Sequence, residues 1–196
     1  MKMRMRTLLR YASLYPKTMQ AHVVRLELKH HWLPPTFDDV REHCGTAEKI
    51  HVHCLSGGVL QYTRFLRQHP DLRDRITSEI FDNPAHAHGF ANFIHEHTMV
   101  PYRACSTIVQ GIIPEPVAQS EYFLSGPLAT RARRLVILST NDRMCDAKYI
   151  REMIKRWSIR EVWENHCEHL KSLRTFPFTY QWVVRQQVSP NGKKYM

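Results

Sequence analysis

Ile50-His51-Val52-His53-Cys54-Leu55-Ser56-Gly57-Gly58-Val59-Leu60 runs an apolar-rich segment straight into a serine, two glycines and the start of a helical pattern. That layout predicts a strand that turns sharply into a helix and lifts a serine hydroxyl above the sheet edge, a nucleophile elbow. The usual pattern is G-x-S-x-G. Here Cys54 stands at the first glycine position, and Ser56 and Gly58 hold the other two. Small residues are expected on both sides, because the serine backbone is strained and the flanking chains pass close together. Glycine is common at strand-to-helix turns, so the pattern gains weight only if the rest of the chain supplies partners for the serine.

Outward from this stretch, helical and extended patterns alternate. Residues 5–15 read as a helix, with Leu8, Leu9, Tyr11, Ala12 and Leu14 as its apolar face. Val23 to Leu28 reads as a strand, and Phe37 to Cys44 as a short helix opened by Asp38 and Asp39. Lys49 to Cys54 is the strand before the elbow, and Val59 to Gln68 the helix after it. Further strands are expected at Ile76–Phe81, Arg134–Ser139 and Arg160–Trp163, with helices at Ala147–Trp157 and Leu170–Val188. Residues 86–130 are histidine-rich and then punctuated by proline, and are expected to form a helical cap over one end of the sheet. The alternation implies one α/β domain over residues 1–196, a mostly parallel sheet covered by helices on both faces.

A serine nucleophile needs a base, and the base needs an orienting acid. Asp142 follows the apolar run Leu135-Val136-Ile137-Leu138, in Ser139-Thr140-Asn141-Asp142. His166 follows the strand ending at Trp163, in Glu164-Asn165-His166-Cys167-Glu168-His169. Strand carboxyl ends lie on one edge of a parallel sheet, so Ser56, Asp142 and His166 are expected to converge. His169 is a rival base and Asp82, after the strand at Ile76, a rival acid. Each has a plainer reading. Asp142 would serve as a helix cap, His166 as a polar loop residue, and Asp82 as part of a turn with Asn83-Pro84.

The same segments resemble the transmembrane protein 53 family, a branch of α/β-hydrolase-fold proteins that includes PaxU-like fungal proteins. The matching pieces are Cys54-Leu55-Ser56-Gly57-Gly58, Ile80-Phe81-Asp82-Asn83-Pro84, Leu138-Ser139-Thr140-Asn141-Asp142, and His166-Cys167-Glu168-His169 ahead of Phe176-Pro177-Phe178-Thr179-Tyr180. They follow in order over roughly residues 7–188. The resemblance implies Ser56, Asp142 and His166 as a triad. It also implies that the chain starts inside the first helix, without the apolar strand and glycine loop that open family members. That loop normally gives one of two oxyanion-hole N–H groups, and Gly57 would give the other. Two expectations follow. One is a serine hydrolase for an ester, thioester or amide, with small acyl substrates, no cofactor and weak or lost activity. The other is a non-catalytic interaction subunit of a larger assembly, with an open sheet edge for a protein partner.

Composition narrows the field further. The net charge is +10, with five Lys/Arg and no acid in residues 1–20, and fourteen Lys/Arg against six acids in residues 131–196. Basic termini suit an anionic surface, although no nucleic-acid motif accompanies them. The first twenty residues also have the basic, acid-free character of a mitochondrial presequence, against the ordinary-helix reading. No secretory pattern opens the chain, and no apolar run reaches the length of about 18 residues that spanning a bilayer takes. Five cysteines without a framework spacing suit an intracellular, reducing compartment, cytoplasmic or mitochondrial. Thirteen histidines invite a metal reading at His51 with His53, at His166 with His169, or among His86, His88, His95 and His97. No zinc spacing is present, and packed or hydrogen-bonded roles are expected instead. Cys54 and Cys167 are weaker nucleophile candidates than Ser56, which holds the elbow.

Overall fold

The computed structural model describes residues 5–21, 23, 37–84 and 130–189, and, between the last two segments, 91, 94, 95, 98–101, 103–105 and 107. Among these residues the strands are β1 (Ile50–Leu55), β2 (Ile76–Asp82), β3 (Arg133–Ser139) and β4 (Glu161–Asn165). The helices are α1 (Met5–Ala12), α2 (Asp38–Cys44), α3 (Gly58–Gln68), a 3-10 helix (Pro70–Arg75), α4 (Ala147–Arg156), α5 (Ser172–Thr175) and α6 (Pro177–Val188). The strands lie in the order β1-β2-β3-β4, and every pairing is parallel. The expected α/β architecture is therefore observed.

Sequence chemistry accounts for the layers. β3 is central and buries Leu135, Val136, Ile137 and Leu138 in succession, as a strand covered on both faces must. One face packs Cys54, Phe81, Val136 and Leu138 against Val59, Tyr62 and Leu66 of α3 and Ile150 and Met153 of α4. The other packs Ile80, Leu135 and Ile137 against Tyr11 and Leu14 near α1 and Tyr180 and Val184 of α6. The first helix thus contributes core side chains, which matches its ordinary-helix reading. α4 starts at Asp146, whose carboxylate accepts the Lys148 N–H at 2.8 Å, and carries Lys155 and Arg156 in its last turn, where they suit the helix dipole.

One expectation changes. The single helix over Leu170–Val188 is two helices, α5 and α6, because Pro177 cannot continue a preceding helix and instead opens the next one at its first turn. The strand expected at Val23–Leu28 falls, apart from Val23, outside the described residues. Among the described residues the outer edge of β1 pairs with no strand. Of the expected cap, Ala91, Ile94, His95, Thr98, Arg103, Ala104, Cys105 and Thr107 are helical, Met99, Val100, Pro101 and Thr130 are not, and the rest lies outside the described residues. No helix among the described residues is long and apolar enough to cross a membrane.

A buried ion pair crosses the sheet beneath α3. Glu79 of β2 is fully buried and accepts from Arg134 Nε at 2.6 Å, from Thr130 Oγ1 at 2.6 Å and from the Tyr62 hydroxyl. Removing the cation alone strands the carboxylate in the core, which costs about 3–5 kcal/mol in comparable pairs. Arg133 and Glu161 pair at 3.0 Å with both side chains more than 40% exposed, where solvent reduces the contribution to less than about 1 kcal/mol. Arg134→Met is thus expected to lower the urea midpoint sharply and Arg133→Met hardly at all. Equal effects would show that Glu79 does not depend on its arginine.

Candidate functional site

The site forms where the strands run out. Just past β1, the Ser56 N–H donates to the Asp82 carbonyl at 2.9 Å. The Asn83 N–H then donates to the Ile137 carbonyl at 2.9 Å, and the Thr140 N–H to the Asn165 carbonyl at 2.8 Å. Each bond extends a parallel ladder by one rung, so the loops after all four strands leave from one edge. Ser56 has φ +50°, a left-handed conformation that a side-chain-bearing residue adopts at a cost. The strain sits on the serine and not on Gly57, whose φ is −63°. A Cβ built on Gly58 would meet the Cys54 Cβ at 3.7 Å, so the flanking chains approach to ordinary contact at this point. Among the described residues nothing lies within 4 Å of a Cβ built on Gly57.

Ser56 Oγ lies 3.0 Å from His169 Nε2, and His169 Nδ1 lies 2.6 Å from Asp142 Oδ2. A carboxylate accepts, so Nδ1 carries the ring proton and Nε2 is left to accept from the serine hydroxyl. The Asp142 side chain is inaccessible to solvent and the His169 side chain only 10% exposed. Asp142 Oδ1 accepts the Met144 N–H at 2.8 Å and the Cys145 N–H at 3.0 Å, which pins the carboxylate from behind. The helix cap at this point is Asp146, not Asp142. The residue after the histidine, Leu170, also has positive φ (+54°), and the chain turns there.

His166, the base expected first, is not brought to Ser56. It is exposed, with Nδ1 3.0 Å from Thr140 Oγ1. The reason is reach. β4 lies three interstrand spacings from β1, roughly 14 Å. A residue directly after β4 stays over its neighbour β3, and the loop needs further residues to swing back over the sheet. The rival His169 has them. The two histidines share no helical face, since neither lies in a helix. Asp82, the rival acid, lies near enough to His169 for their charges to interact, but its hydrogen bonds go to other residues. It is buried and accepts from the Tyr180 hydroxyl at 2.6 Å and from Asn83 Nδ2 at 3.0 Å.

Two hydrogen-bonded networks support the site. Asn83 Oδ1 accepts the Ser139 N–H at 2.8 Å, Ser139 Oγ donates to Asn165 Oδ1 at 2.9 Å, and Ser172 Oγ lies 3.1 Å from Ser139 Oγ. These side chains tie the ends of β2, β3 and β4 to α5 beneath the site. A second chain runs from Asp82 through Tyr180 to His53 and Tyr15. Tyr180's one hydroxyl proton goes to Asp82, so His53 Nε2–H donates to the Tyr180 oxygen at 3.1 Å, and Tyr15 donates to His53 Nδ1 at 2.8 Å. Asp82 and Tyr180 stand out in the sequence singly, but nothing there joins them to His53 and Tyr15, because the four come from β2, α6, β1 and the turn after α1.

The remaining candidates have other roles. His51 Nδ1 lies 2.7 Å from Ser78 Oγ, and His95 Nδ1 lies 2.7 Å from the Val100 carbonyl. His86, His88 and His97 lie outside the described residues. Ligand atoms of Asp142, Cys145 and His169 lie within 4.8 Å of one another. The acid and the imidazole are already bonded to each other there, and Cys145 Sγ donates to the Asn83 carbonyl at 3.2 Å. Burial and the nearby Glu79 push the Cys54 thiol well up from its usual pKa, the opposite of an activated nucleophile. Cys167 is buried.

No family model matches this chain, and no curated protein matches it in sequence. Solved structures do match. An esterase from Pyrococcus furiosus superposes with a TM-score of 0.53 at 14% identity, over 75% of this chain and 57% of the esterase. An alpha/beta hydrolase enzyme from a Medee basin deep-sea metagenome superposes with a TM-score of 0.53 at 11% identity, over 93% of this chain and 84% of that one. A putative hydrolase from Agrobacterium vitis gives 0.53 at 12% identity, over 76% and 65%. The fold is that of the α/β hydrolases, and the chain spans a little over half the length of the Pyrococcus esterase.

The buried chain behind the elbow has a pH signature. Burial pushes Asp82 up to about 7, against the opposing hydrogen bond from Tyr180, and burial holds His53 down at about 3. Above 3.8 the unfolded chain sheds the Asp82 proton while the folded protein keeps it up to about 7, so this group makes stability fall as pH rises. Below 6.5 the unfolded chain protonates His53 while the folded protein does not until about 3, so this group makes stability rise with pH. Between about pH 4 and pH 6 the two slopes oppose, each about 1.4 kcal/mol per pH unit. Urea melts across that range are expected to show a more positive slope for Asp82→Asn than for the parent, and a more negative one for His53→Gln. Parallel curves would show that neither group titrates from a buried position.

Proposed function

We propose that Ser56, His169 and Asp142 are the catalytic triad of a serine hydrolase acting on an ester, thioester or amide, in the transmembrane protein 53 and PaxU-like branch of the α/β hydrolases. The observation that carries this reading is the unbroken chain from Ser56 Oγ through His169 to Asp142, starting at a serine held in left-handed backbone. In the reaction, Ser56 Oγ attacks the acyl carbonyl as His169 Nε2 takes its proton. Asp142 holds the ring in the required tautomer and stabilises the imidazolium. His169 then protonates the leaving group. Water attacks the acyl-enzyme, His169 takes its proton, and Ser56 leaves as the restored hydroxyl. Gly57, the N-cap of α3, would offer its N–H to the oxyanion, at a helix end whose dipole favours negative charge. The five free thiols support a reducing intracellular compartment, cytoplasmic or mitochondrial.

A second reading, an interaction subunit without turnover, draws on the outer edge of β1, unpaired among the described residues. A strand from a partner protein would complete that edge. Fluorophosphonate labelling separates the two. Labelling is expected at Ser56 and is expected to vanish in Ser56→Ala. It should fall on the order of 10⁴-fold in His169→Ala and in Asp142→Asn, and hold in His166→Ala. An unlabelled Ser56 in the folded protein would overturn the hydrolase reading, and labelling lost in His166→Ala but kept in His169→Ala would overturn the assignment of the base.

A further inference from the structure

The helices on the two faces of the sheet are similar in net charge but differ in how that charge is made up. On the α2, α3 and α4 side the helices and the 3-10 helix mix the acids Asp38, Asp39, Glu42, Asp71, Asp74 and Glu152 with nine Lys and Arg residues. On the other side α1, α5 and α6 carry no acid at all, and their cations are Arg6, Arg10, Arg174 and Arg185. The absence extends along the chain: no Asp or Glu precedes Glu27 or follows Glu168.

The nearest acid to these helices along the chain is Glu168, just before α5 and paired with Lys171 at 2.5 Å, and the same side holds most of the exposed apolar bulk. Seven large apolar side chains stand exposed among the described residues, and five of them are Met5, Leu9, Phe176, Phe178 and Trp182. Phe178 is 85% and Trp182 52% exposed, and with Arg185 they form an i, i+4, i+7 stripe on α6. Met5 and Leu9 form an i, i+4 pair on α1, interleaved with Arg6 and Arg10. The two helices are neighbours. The Tyr11 and Tyr180 rings meet edge to face at 5.7 Å, and Arg185 Nε donates to the Leu14 carbonyl at 3.3 Å.

We propose that the face formed by α1, α5 and α6 docks on an anionic lipid bilayer. Aromatic and aliphatic side chains enter the headgroup boundary, and arginines beside them pair with lipid phosphates and carboxylates. The absence of acids from the three helices matters as much as the arginines present, since an unpaired carboxylate would oppose anionic headgroups, and Glu168 beside α5 is matched by Lys171. Aliphatic Met5 and Leu9 favour lipid over nucleic acid, whose bases stack on aromatic rings and gain little from a methionine or leucine. The surface is independent of the chemistry at Ser56, so Ser56→Ala is expected to bind as the parent does.

Vesicle co-sedimentation of the full chain tests the proposal without any turnover. The protein is expected to pellet with phosphatidylcholine vesicles containing phosphatidylserine, much less with phosphatidylcholine alone, and less again as salt rises. Phe178→Ser with Trp182→Ser should weaken binding about tenfold or more. Arg6→Gln with Arg10→Gln should remove part of the salt dependence and leave the unfolding midpoint in place. No pelleting with anionic vesicles, or pelleting unchanged by the aromatic substitutions, would overturn it. So would self-association without lipid that disappears in the Phe178→Ser, Trp182→Ser protein, which would give the face to a second copy of the chain.

Discussion

Three backbone hydrogen bonds just beyond the strand ends hold the site together: Ser56 to Asp82, Asn83 to Ile137, and Thr140 to Asn165. They are possible only because four parallel strands end in register along one edge. The first sets the left-handed serine against the neighbouring strand, so the strain at Ser56 is borne by the sheet and not by a free loop. The third starts the two loops that bring Asp142 and His169 inward. The side chains of Asn83, Ser139, Asn165 and Ser172 repeat the same linkage one layer below.

That edge is supported by two buried polar systems of different character. Glu79 lies under α3, paired with Arg134, Tyr62 and Thr130. Its charge is matched locally, so it acts as a structural crosslink between β2 and β3. Asp82, three residues on and on the opposite face, has no cation hydrogen-bonded to it. It has Tyr180 and Asn83, and behind Tyr180 the neutral His53. Burial therefore keeps its proton on toward neutral pH, while the charge demands of the serine–histidine pair fall on Asp142. Two carboxylates flank the site, and their surroundings separate them into an acceptor for the imidazole and a buried anchor for α6.

The outer surfaces complement this interior. The α3 and α4 side carries mixed charge, as a solvated surface does. Helices α1 and α6 combine arginines with exposed Phe178 and Trp182 and carry no acid. α6 supplies Tyr180 to the buried network and Trp182 to the exposed face, two residues apart on one helix. Interior anchoring and surface display are thus coupled through a single rigid element.

Much of this was legible in the residues. The turn at Ser56, the buried run of β3 and the helix–strand alternation follow from local patterns, because hydrophobic period and turn chemistry are local properties. Asp142 was legible for the same reason, as an acid placed just past a strand. The choice between His166 and His169 was not. It depends on the span from β4 to β1 and on the turn at Leu170, neither of which has a sequence signature. The break before Pro177 was visible in principle, but a continuous apolar pattern concealed it. The Asp82–Tyr180–His53–Tyr15 chain was the least legible of all. Its members lie up to 165 residues apart, and only the packing of α1 and α6 on one face of the sheet brings them into hydrogen-bonding distance. The sequence by itself determined which strands and turns form and which residue types stand at their ends. The tertiary structure alone decided which of those residues meet, because meeting depends on strand order and loop reach, and these are settled only when the whole sheet closes its core.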